Sequence, residues 1–430
     1  MKKYLPIIIF LLLVLELWLL TLGKKQFGIM WSPLVMLGCG LFSGIGFLIF
    51  FYNKKITLQK LEWDWKKRMA MFLISFFGIW KCGDMLRTII RNEPIDFYNS
   101  TASDVLPQIG IMVDRFLDGI FPYQLITEWS FNHDLYPTYL PLTWMPFIIP
   151  EVLGLDYRWL AFAVLIIAMW YYSYKLISWN SNWISIVFLL IVPYFFLYSF
   201  LKEDNTGSFR LSIESLIAGY YLFLATSIFS KSNWVRGMAL LCCLLSRYSL
   251  VLWVPLFFII LFLKEKKSNS YKIIGWIALG FLVLYIIPFL SKDFTIFQKG
   301  YEYHTEAALI AFHRYHYQSE YEMPALLAQG FGLAIYFNEI IDGTSADKST
   351  ALRLAHLISL CFMVFVSMIG FYKIKDRIDY RIFLLGTLKI YLVLFYNFIQ
   401  IPYNYLYLPL VFVSLTMFAL LFSRKNYSVE

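Results

Sequence analysis

The chain has 430 residues, of which 60% are hydrophobic and only 15% are charged. With a mean hydropathy of +0.64, this composition predicts an all-α polytopic membrane protein. The formal charge of +9 comes from short clusters such as Lys66, Lys67 and Arg68, which suit loops beside anionic lipid and imply no nucleic-acid partner. All five cysteines lie in apolar runs without a Cys-x-x-Cys pair, which argues against a disulfide framework or a zinc site.

The spans can be read from hydropathy, because a helix needs about 20 apolar residues to cross the hydrocarbon core. Clear spans are expected at residues 4–22, 30–52, 69–90, 158–178, 182–201, 211–229, 271–290, 351–372, 381–398 and 402–422. The apolar stretch 234–263 is too long for one straight crossing and carries Arg247 near its middle. We therefore predict two short helices there, with Arg247 at the outer turn. The total is about 12 transmembrane helices, with a range of about 11 to 13.

The positions of Lys and Arg predict the orientation in the membrane. They place both termini and the loops 53–68, 264–267 and 373–381 in the cytoplasm. Two external loops follow, at 91–140 and 291–350, within a single membrane domain that begins with an N-terminal hairpin at 1–68. The proline-bracketed piece 141–153 is predicted to be re-entrant or to lie on the surface. In the alternative topology, 141–153 crosses fully, 234–263 crosses once, and Lys231 and Arg236 move outside.

The first external loop is predicted to begin with an interfacial amphipathic helix at 105–117. Its polar side would carry Asp104, Gln108, Arg115 and Asp118. Asp104 stands where a helix N-cap is expected, and it is also a candidate catalytic residue. The two roles are compatible, because the positive end of a helix keeps a carboxylate ionised and able to accept a proton from a hydroxyl group.

Other polar residues in or beside apolar segments are candidates for substrate binding. His133 stands beside Asp134 and suits phosphate binding or proton relay, although a solvated loop pair fits equally well. Arg210 and Glu214 are spaced to pair on one helix face. Arg247 lies deep in an apolar stretch, where its partner is expected to be either a lipid phosphate or Glu214.

The second external loop contains His304, His313 and His316 with aromatic residues between them. The spacing of His313 and His316 is compatible with metal binding, but no third ligand stands at a convincing distance, so no metal is predicted. Aromatic faces beside hydrogen-bonding groups suit sugar rings. An interfacial helix decorated with Tyr and His is the simpler alternative.

The order of motifs in the first half of the chain resembles the GT-C superfamily of membrane glycosyltransferases, in particular the bacterial enzymes of the polyprenyl-phosphate-mannose type. The matching motifs are Ser103-Asp104, Gly119-Ile120-Phe121-Pro122-Tyr123, Tyr136-Pro137 with Pro141-Leu142, and Leu153-Gly154-Leu155-Asp156-Tyr157-Arg158. Leu245-Ser246-Arg247 resembles a further turn of that family. Gly207-Ser208-Phe209-Arg210 stands where such enzymes often have a Gly-Gln pair, and it lacks the glutamine.

The resemblance implies a GT-C-like fold and an inverting transfer of mannose or a similar sugar from a polyprenyl-phosphate donor, on the extracytoplasmic face of the cytoplasmic membrane. The acceptor would be a hydroxyl group of a glycan or glycolipid. By carry-over Asp104 would be the general base, and no cofactor or metal would be needed. The substrate-binding candidates are Arg247, Arg210, Glu214, His133, Tyr136, His304 and His313.

Two other functions compete with this interpretation. A polysaccharide polymerase or ligase of the O-antigen type also has about a dozen spans, and it would depend on external arginines rather than on Asp104. A transporter or flippase for lipid-linked sugars would show broken helices and midplane charges in two related halves, and no such halves are evident in the sequence.

Overall fold

The computed structural model describes residues 4–56, 64–95, 103–127, 134–179, 182–203, 207–313, 324–328, 330–422 and 427–429. These residues are helical apart from connecting loops and one short antiparallel pairing of β1 (Lys54–Ile56) with β2 (Tyr427–Val429). The helices are α1 (Leu5–Trp18), α2 (Lys24–Phe51), α3 (Trp65–Asn92), α4 (Val105–Leu117), α5 (Pro141–Trp144), α6 (Ile148–Leu153), α7 (Tyr157–Trp179), α8 (Trp183–Lys202), α9 (Glu214–Ser227), α10 (Asn233–Leu244), α11 (Trp253–Lys264), α12 (Lys267–Phe281), α13 (Ile296–His313), α14 (Ala325–Ala328), α15 (Ala334–Ile340), α16 (Ser345–Ile374), α17 (Tyr380–Asn397) and α18 (Leu408–Leu421).

Several segments depart from α geometry. Leu19–Gly23 and Leu282–Leu290 are π-helical, and the second of these extends α12. Short 3-10 helices occupy Met145–Phe147, Tyr248–Leu250 and Asn404–Tyr407. Helix α2 is interrupted at Gly28, whose φ of 70° favours glycine.

The predicted helical membrane class is confirmed. In the described part of the chain, seven helices are long and apolar enough to cross a membrane, and the shorter apolar helices include α10 and α11. The total of about 12 crossings stays a prediction. The stretch 234–263 is broken into α10 and α11, with Arg247 in the connection between them.

The helix ends lie on two opposite faces of the bundle. On one, which we call the Asp104 face, the Arg158 side chain donates to the carbonyl of Glu93 at 2.9 Å and to that of Arg210 at 3.4 Å. The opposite face holds the β1–β2 pairing and the ion pair of Arg236 with Glu265 at 2.5 Å. The piece 141–153, which forms α5, a 3-10 turn and α6, begins and ends on the Asp104 face.

The N-terminal hairpin is part of the same bundle. Helices α1 and α2 pack against α17 and α18. The Glu16 carboxylate of α1 lies 2.8 Å from the Lys389 ammonium of α17, and both side chains are buried. Lys389 also donates to the carbonyl of Leu410 at 3.2 Å. Removal of either charged partner would leave the other buried without compensation, so this pair ties the first helix to the last two.

Helix α9 lies in the centre of the bundle and is buried on nearly all sides. It comes close to α7, because a side chain at Gly219 would stand only 3.0 Å from the Leu165 Cα. Helix α9 also packs against α10 and α18. Its first residue, Glu214, is therefore held in the middle of the bundle on the Asp104 side.

Candidate active site

Asp104 stands directly before α4, as predicted, but its side chain makes no capping hydrogen bond to the helix. The neighbouring Ser103 hydroxyl has that role: it accepts from the Val105 amide at 3.2 Å and donates to the carbonyl of Leu211 at 2.8 Å. The Asp104 side chain is exposed. The prediction of an Asp104 N-cap is thus right in position and wrong in the hydrogen bond.

Helix α4 is more deeply buried than an interfacial helix with a wet polar side would be. Gln108 and Arg115 are buried, whereas Asp118 is exposed. The Arg115 guanidinium can be buried because it donates to the carbonyls of Gln124 and Leu125 at 2.7 and 2.9 Å. Of the predicted polar side, Arg115 is therefore used for internal hydrogen bonds, whereas the buried Gln108 Nε2 has no hydrogen-bond partner among the described residues.

Arg247 and Glu214 form an ion pair. The Arg247 Nη2 lies 2.5 Å from the Glu214 Oε2, and the side chains are 22% and 1% exposed. The other Arg247 nitrogen, Nη1, is 3.5 Å from the Tyr396 hydroxyl. Among the described residues, the Glu214 Oε1 has no hydrogen-bond partner although it is buried. Of the two partners expected for Arg247, the structure has the carboxylate of Glu214.

The connection that carries Arg247 is held by the piece 141–153. The Leu142 amide donates to the carbonyl of Leu245 at 2.9 Å, and the Thr143 hydroxyl donates to the carbonyl of Ser246 at 2.7 Å. Helix α10 has 12 residues and rises from the opposite face by about 18 Å, less than the hydrocarbon thickness. Arg247 therefore lies in a recess below the Asp104 face.

The expected pairing of Arg210 with Glu214 is wrong. Helix α9 begins only at Glu214, so Arg210 lies in the preceding turn and the two residues do not share a helix face. Arg210 instead pairs with Glu93 at 3.0 Å, with both side chains largely exposed. An exposed pair of this kind contributes little stability.

Asp104 and Arg247 both lie within electrostatic reach of Tyr139. Burial raises the pKa of Tyr139, the negative charge of Asp104 raises it further, and the positive charge of Arg247 opposes that rise. Tyr405 lies within electrostatic reach of both Asp104 and Glu214. The backbone at Tyr139 is held by the Tyr123 hydroxyl, which donates to its carbonyl at 2.9 Å. An acidic and a basic group from distant parts of the chain thus share one tyrosine-lined region.

The second loop reaches this region through α13. Tyr303 packs against Ile111, Ile126 and Leu135 of the first loop. Burial, together with the charges of Asp104 and Glu306, raises the pKa of Tyr303 to about 12. His304, the next residue, is exposed on α13, and Tyr303 lies within electrostatic reach of Asp104.

The remaining predicted residues are placed elsewhere or lie beyond what is described. The Tyr136 ring is buried beside Lys292 and Asp293 and lines a pocket of about 670 Å³. His133 and His316 fall outside the described residues, as does the side chain of His313, the last residue of α13. Within the described ranges, no group of three or more His, Cys, Asp or Glu side chains has an arrangement that would hold a metal ion.

Several residues of the site were not predicted. Tyr139 stands between the Tyr136-Pro137 and Pro141-Leu142 motifs but was not itself singled out. Tyr303, Tyr396 and Tyr405 lie among the chain's 31 tyrosines without a distinguishing local pattern. Asp156 and Arg158 of the Leu-Gly-x-Asp-x-Arg motif form an ion pair at 2.7 Å that supports the contacts of Arg158 with Glu93 and Arg210. This motif therefore holds loops together on the Asp104 face.

Comparison of the chain with protein-family models, with curated proteins and with solved structures gave no match.

Proposed function

We propose that the chain is a membrane glycosyltransferase of GT-C type, which transfers mannose or a similar sugar from a polyprenyl-phosphate donor to a hydroxyl group of a glycan or glycolipid. The observation that carries the proposal is that Asp104 and Arg247, which are far apart in the chain, both lie within electrostatic reach of Tyr139. A transfer of this kind needs a base for the acceptor hydroxyl and a cation for the leaving phosphate, and these two groups supply them.

In the proposed reaction, the acceptor oxygen attacks the anomeric carbon of the sugar while the bond from that carbon to the lipid phosphate breaks. The Asp104 carboxylate takes the proton of the attacking hydroxyl. The phosphate leaves with the electron pair of the broken bond, and the Arg247 guanidinium stabilises its negative charge. Glu214 orients Arg247 through their 2.5 Å contact. The steps involve only proton transfer and displacement, so they require no redox cofactor, and the proposal assigns no metal.

The proposal places twelve helices in the membrane, namely α1 to α3, α7 to α12 and α16 to α18, of which α10 and α11 form a short hairpin that turns at Arg247. Lys54, Lys264 and Arg377 lie on the face opposite Asp104, and the distribution of positive charge favours the cytoplasm for that side. The Asp104 face would then be extracytoplasmic, and the lipid-anchored donor would reach the recess from within the bilayer.

The decisive experiment compares Asp104→Asn with Asp118→Asn in proteoliposomes, using polyprenyl-phosphate mannose as donor and an envelope extract as acceptor. Removal of a general base lowers the rate by about 100-fold to 10,000-fold. Asp118 is an exposed carboxylate at the other end of α4, so its variant should retain full activity. Full activity of Asp104→Asn would refute the proposed mechanism.

The same assay separates the competing functions. A polymerase or ligase that depends on external arginines would tolerate Asp104→Asn and lose activity in Arg210→Gln. A flippase would move the lipid-linked sugar across the bilayer without forming a glycosidic bond. Product analysis by mass spectrometry therefore distinguishes all three.

A further inference from the structure

A second polar site lies on the Asp104 face, at the pocket beside Tyr136. It is an open depression with a volume of about 670 Å³. The first loop supplies aromatic walls and the segment before α13 supplies charged groups. The lining residues used below are Phe121, Tyr123, Tyr136, Lys292, Asp293 and Lys299.

The charges in this pocket leave one uncompensated cation. The Lys299 ammonium pairs with the Asp293 carboxylate at 2.9 Å. Hydrogen bonds from Lys299 and Thr295 lower the pKa of Asp293 to about 2, so this carboxylate is ionised at neutral pH. Lys292 is exposed, and in the described part of the chain it has no carboxylate partner. The lining therefore carries a net charge of one positive unit, from two lysines and one aspartate.

Of the aromatic residues in the lining, Phe121 is partly exposed, whereas Tyr123 and Tyr136 are buried. Tyr123 packs edge-on against Phe289 and Trp144, which fixes its ring. Tyr136 is 8% exposed, and its hydroxyl has no hydrogen-bond partner among the described residues. A buried hydroxyl without a partner is costly, and a polar ligand at this wall would offer one. Aromatic faces beside donors and a lysine suit a sugar that carries an acid.

The pocket is also close to Asp104. Tyr136 borders the pocket, and Tyr139, which lies within electrostatic reach of Asp104, follows it with only two residues between them. Three residue steps span at most about 11 Å, even in a fully extended chain. Gly300 of α13 lies over Thr138 in this short segment. A glycan with one unit in the pocket would thus hold a neighbouring unit near the general base.

We propose that this pocket is an acceptor subsite for an acidic sugar, one whose carboxylate or phosphate group is bound by Lys292, whose ring packs against Phe121 and whose hydroxyl group hydrogen-bonds to Tyr136. The assignment as an acceptor subsite depends on the proposed function, but the binding itself does not. The pocket would bind an anionic group on a polar ligand, and a phospholipid headgroup also carries such a group.

The test measures binding of methyl β-glucuronide and methyl β-glucoside to the full chain in phosphatidylcholine nanodiscs, by saturation-transfer NMR titration. We expect the glucuronide to bind about fivefold more tightly, as one partly exposed ion pair allows. Lys292→Gln should abolish this preference. The matched control Lys272→Gln, an exposed lysine at the far end of α12, should retain it. Tyr136→Phe should weaken binding of both sugars about threefold, as loss of one hydrogen bond predicts.

Three results would overturn the inference: equal affinity for the two sugars, a preference that persists in Lys292→Gln, or loss of glucuronide binding when phosphatidylglycerol is added to the nanodiscs. The last result would assign the pocket to a lipid headgroup. Binding is measured without donor, so these outcomes leave the Asp104 mechanism untouched. Conversely, an active Asp104→Asn variant would refute that mechanism while the sugar preference remained measurable.

Discussion

The Arg247 guanidinium lies 2.5 Å from the Glu214 carboxylate in a recess where Arg247 is 22% exposed and Glu214 only 1%. The carboxylate compensates the charge of an arginine far from either end of its apolar stretch, and it fixes the direction of the guanidinium. Because an arginine has five N–H donors, this pair leaves others for a second ligand. The structural ion pair and the proposed phosphate contact are therefore compatible.

The protein should be more stable with both Arg247 and Glu214 present than with either residue alone. We expect Arg247→Gln to lower the free energy of unfolding by about 3 kcal/mol, because it leaves Glu214 buried without a counterion. The double variant Arg247→Gln/Glu214→Gln should recover much of this loss. Thermal unfolding in detergent, followed by tryptophan fluorescence, measures the stability of the single and the double variant. The exposed control Arg210→Gln should change stability by less than about 1 kcal/mol; a loss as large as that of Arg247→Gln would contradict the assignment.

The Glu16–Lys389 pair should behave as a fully buried ion pair. Lys389→Met is expected to cost about 3 to 5 kcal/mol, and Glu16→Gln/Lys389→Met should restore most of it. The matched control is Lys264→Met, which removes the ion pair with Asp376 on the opposite face, where Asp376 is 81% exposed. That change should cost less than about 1 kcal/mol. Equal losses in the two lysine variants would show that burial of the α1–α17 pair does not matter.

Ser103 and Asp104 are adjacent but should respond differently to alanine. Ser103→Ala removes the hydrogen bonds to Val105 and Leu211 and should cost about 1 to 2 kcal/mol, with activity retained in the folded fraction. Asp104→Ala removes no capping bond to α4, so activity should be lost without the loss of helix capping that Ser103→Ala causes. The two variants are compared by unfolding and sugar-transfer assays on the same preparations. A large loss of stability in Asp104→Ala alone would assign this carboxylate a structural role.

Asp293 should titrate at an unusually low pH. Hydrogen bonds from Lys299 and Thr295 lower the pKa of its carboxyl group from 3.8 to about 2. A lowered folded-state pKa means that the carboxylate stabilises the fold above pH 3.8, and that this contribution is lost as the pH falls toward 2. Carboxyl NMR of ¹³C-labelled aspartate should follow this titration. Lys299→Gln should move the pKa back toward 3.8, whereas Lys272→Gln should not; an unchanged value in Lys299→Gln would exclude the ion pair as the cause.

Local patterns were sufficient for the helices of the site. The periodicity at 105–117 predicts a helix, and α4 runs from Val105 to Leu117. The charge at Arg247 within an apolar stretch predicts a break, and α10 and α11 meet there. Both predictions depend on residues that are close in the chain. The first uses the spacing of apolar side chains along a helix, and the second uses the energetic cost of a charge inside an apolar segment.

The partners of the polar groups depended on the tertiary structure. The sequence spacing predicted that Arg210 pairs with Glu214. In the structure, the packing of α9 against α7 and α10 places Glu214 in an ion pair with Arg247, and Arg210 pairs with Glu93 instead. In the same way, Tyr139 and Tyr303 could not be distinguished in the sequence from other tyrosines, because their proximity to Asp104 arises from two loops that meet. The sequence by itself determined which segments are helices and where charges interrupt them. Which charges pair was decided only by folding, because a buried charge pairs with whichever opposite charge the packing of distant helices brings within contact distance.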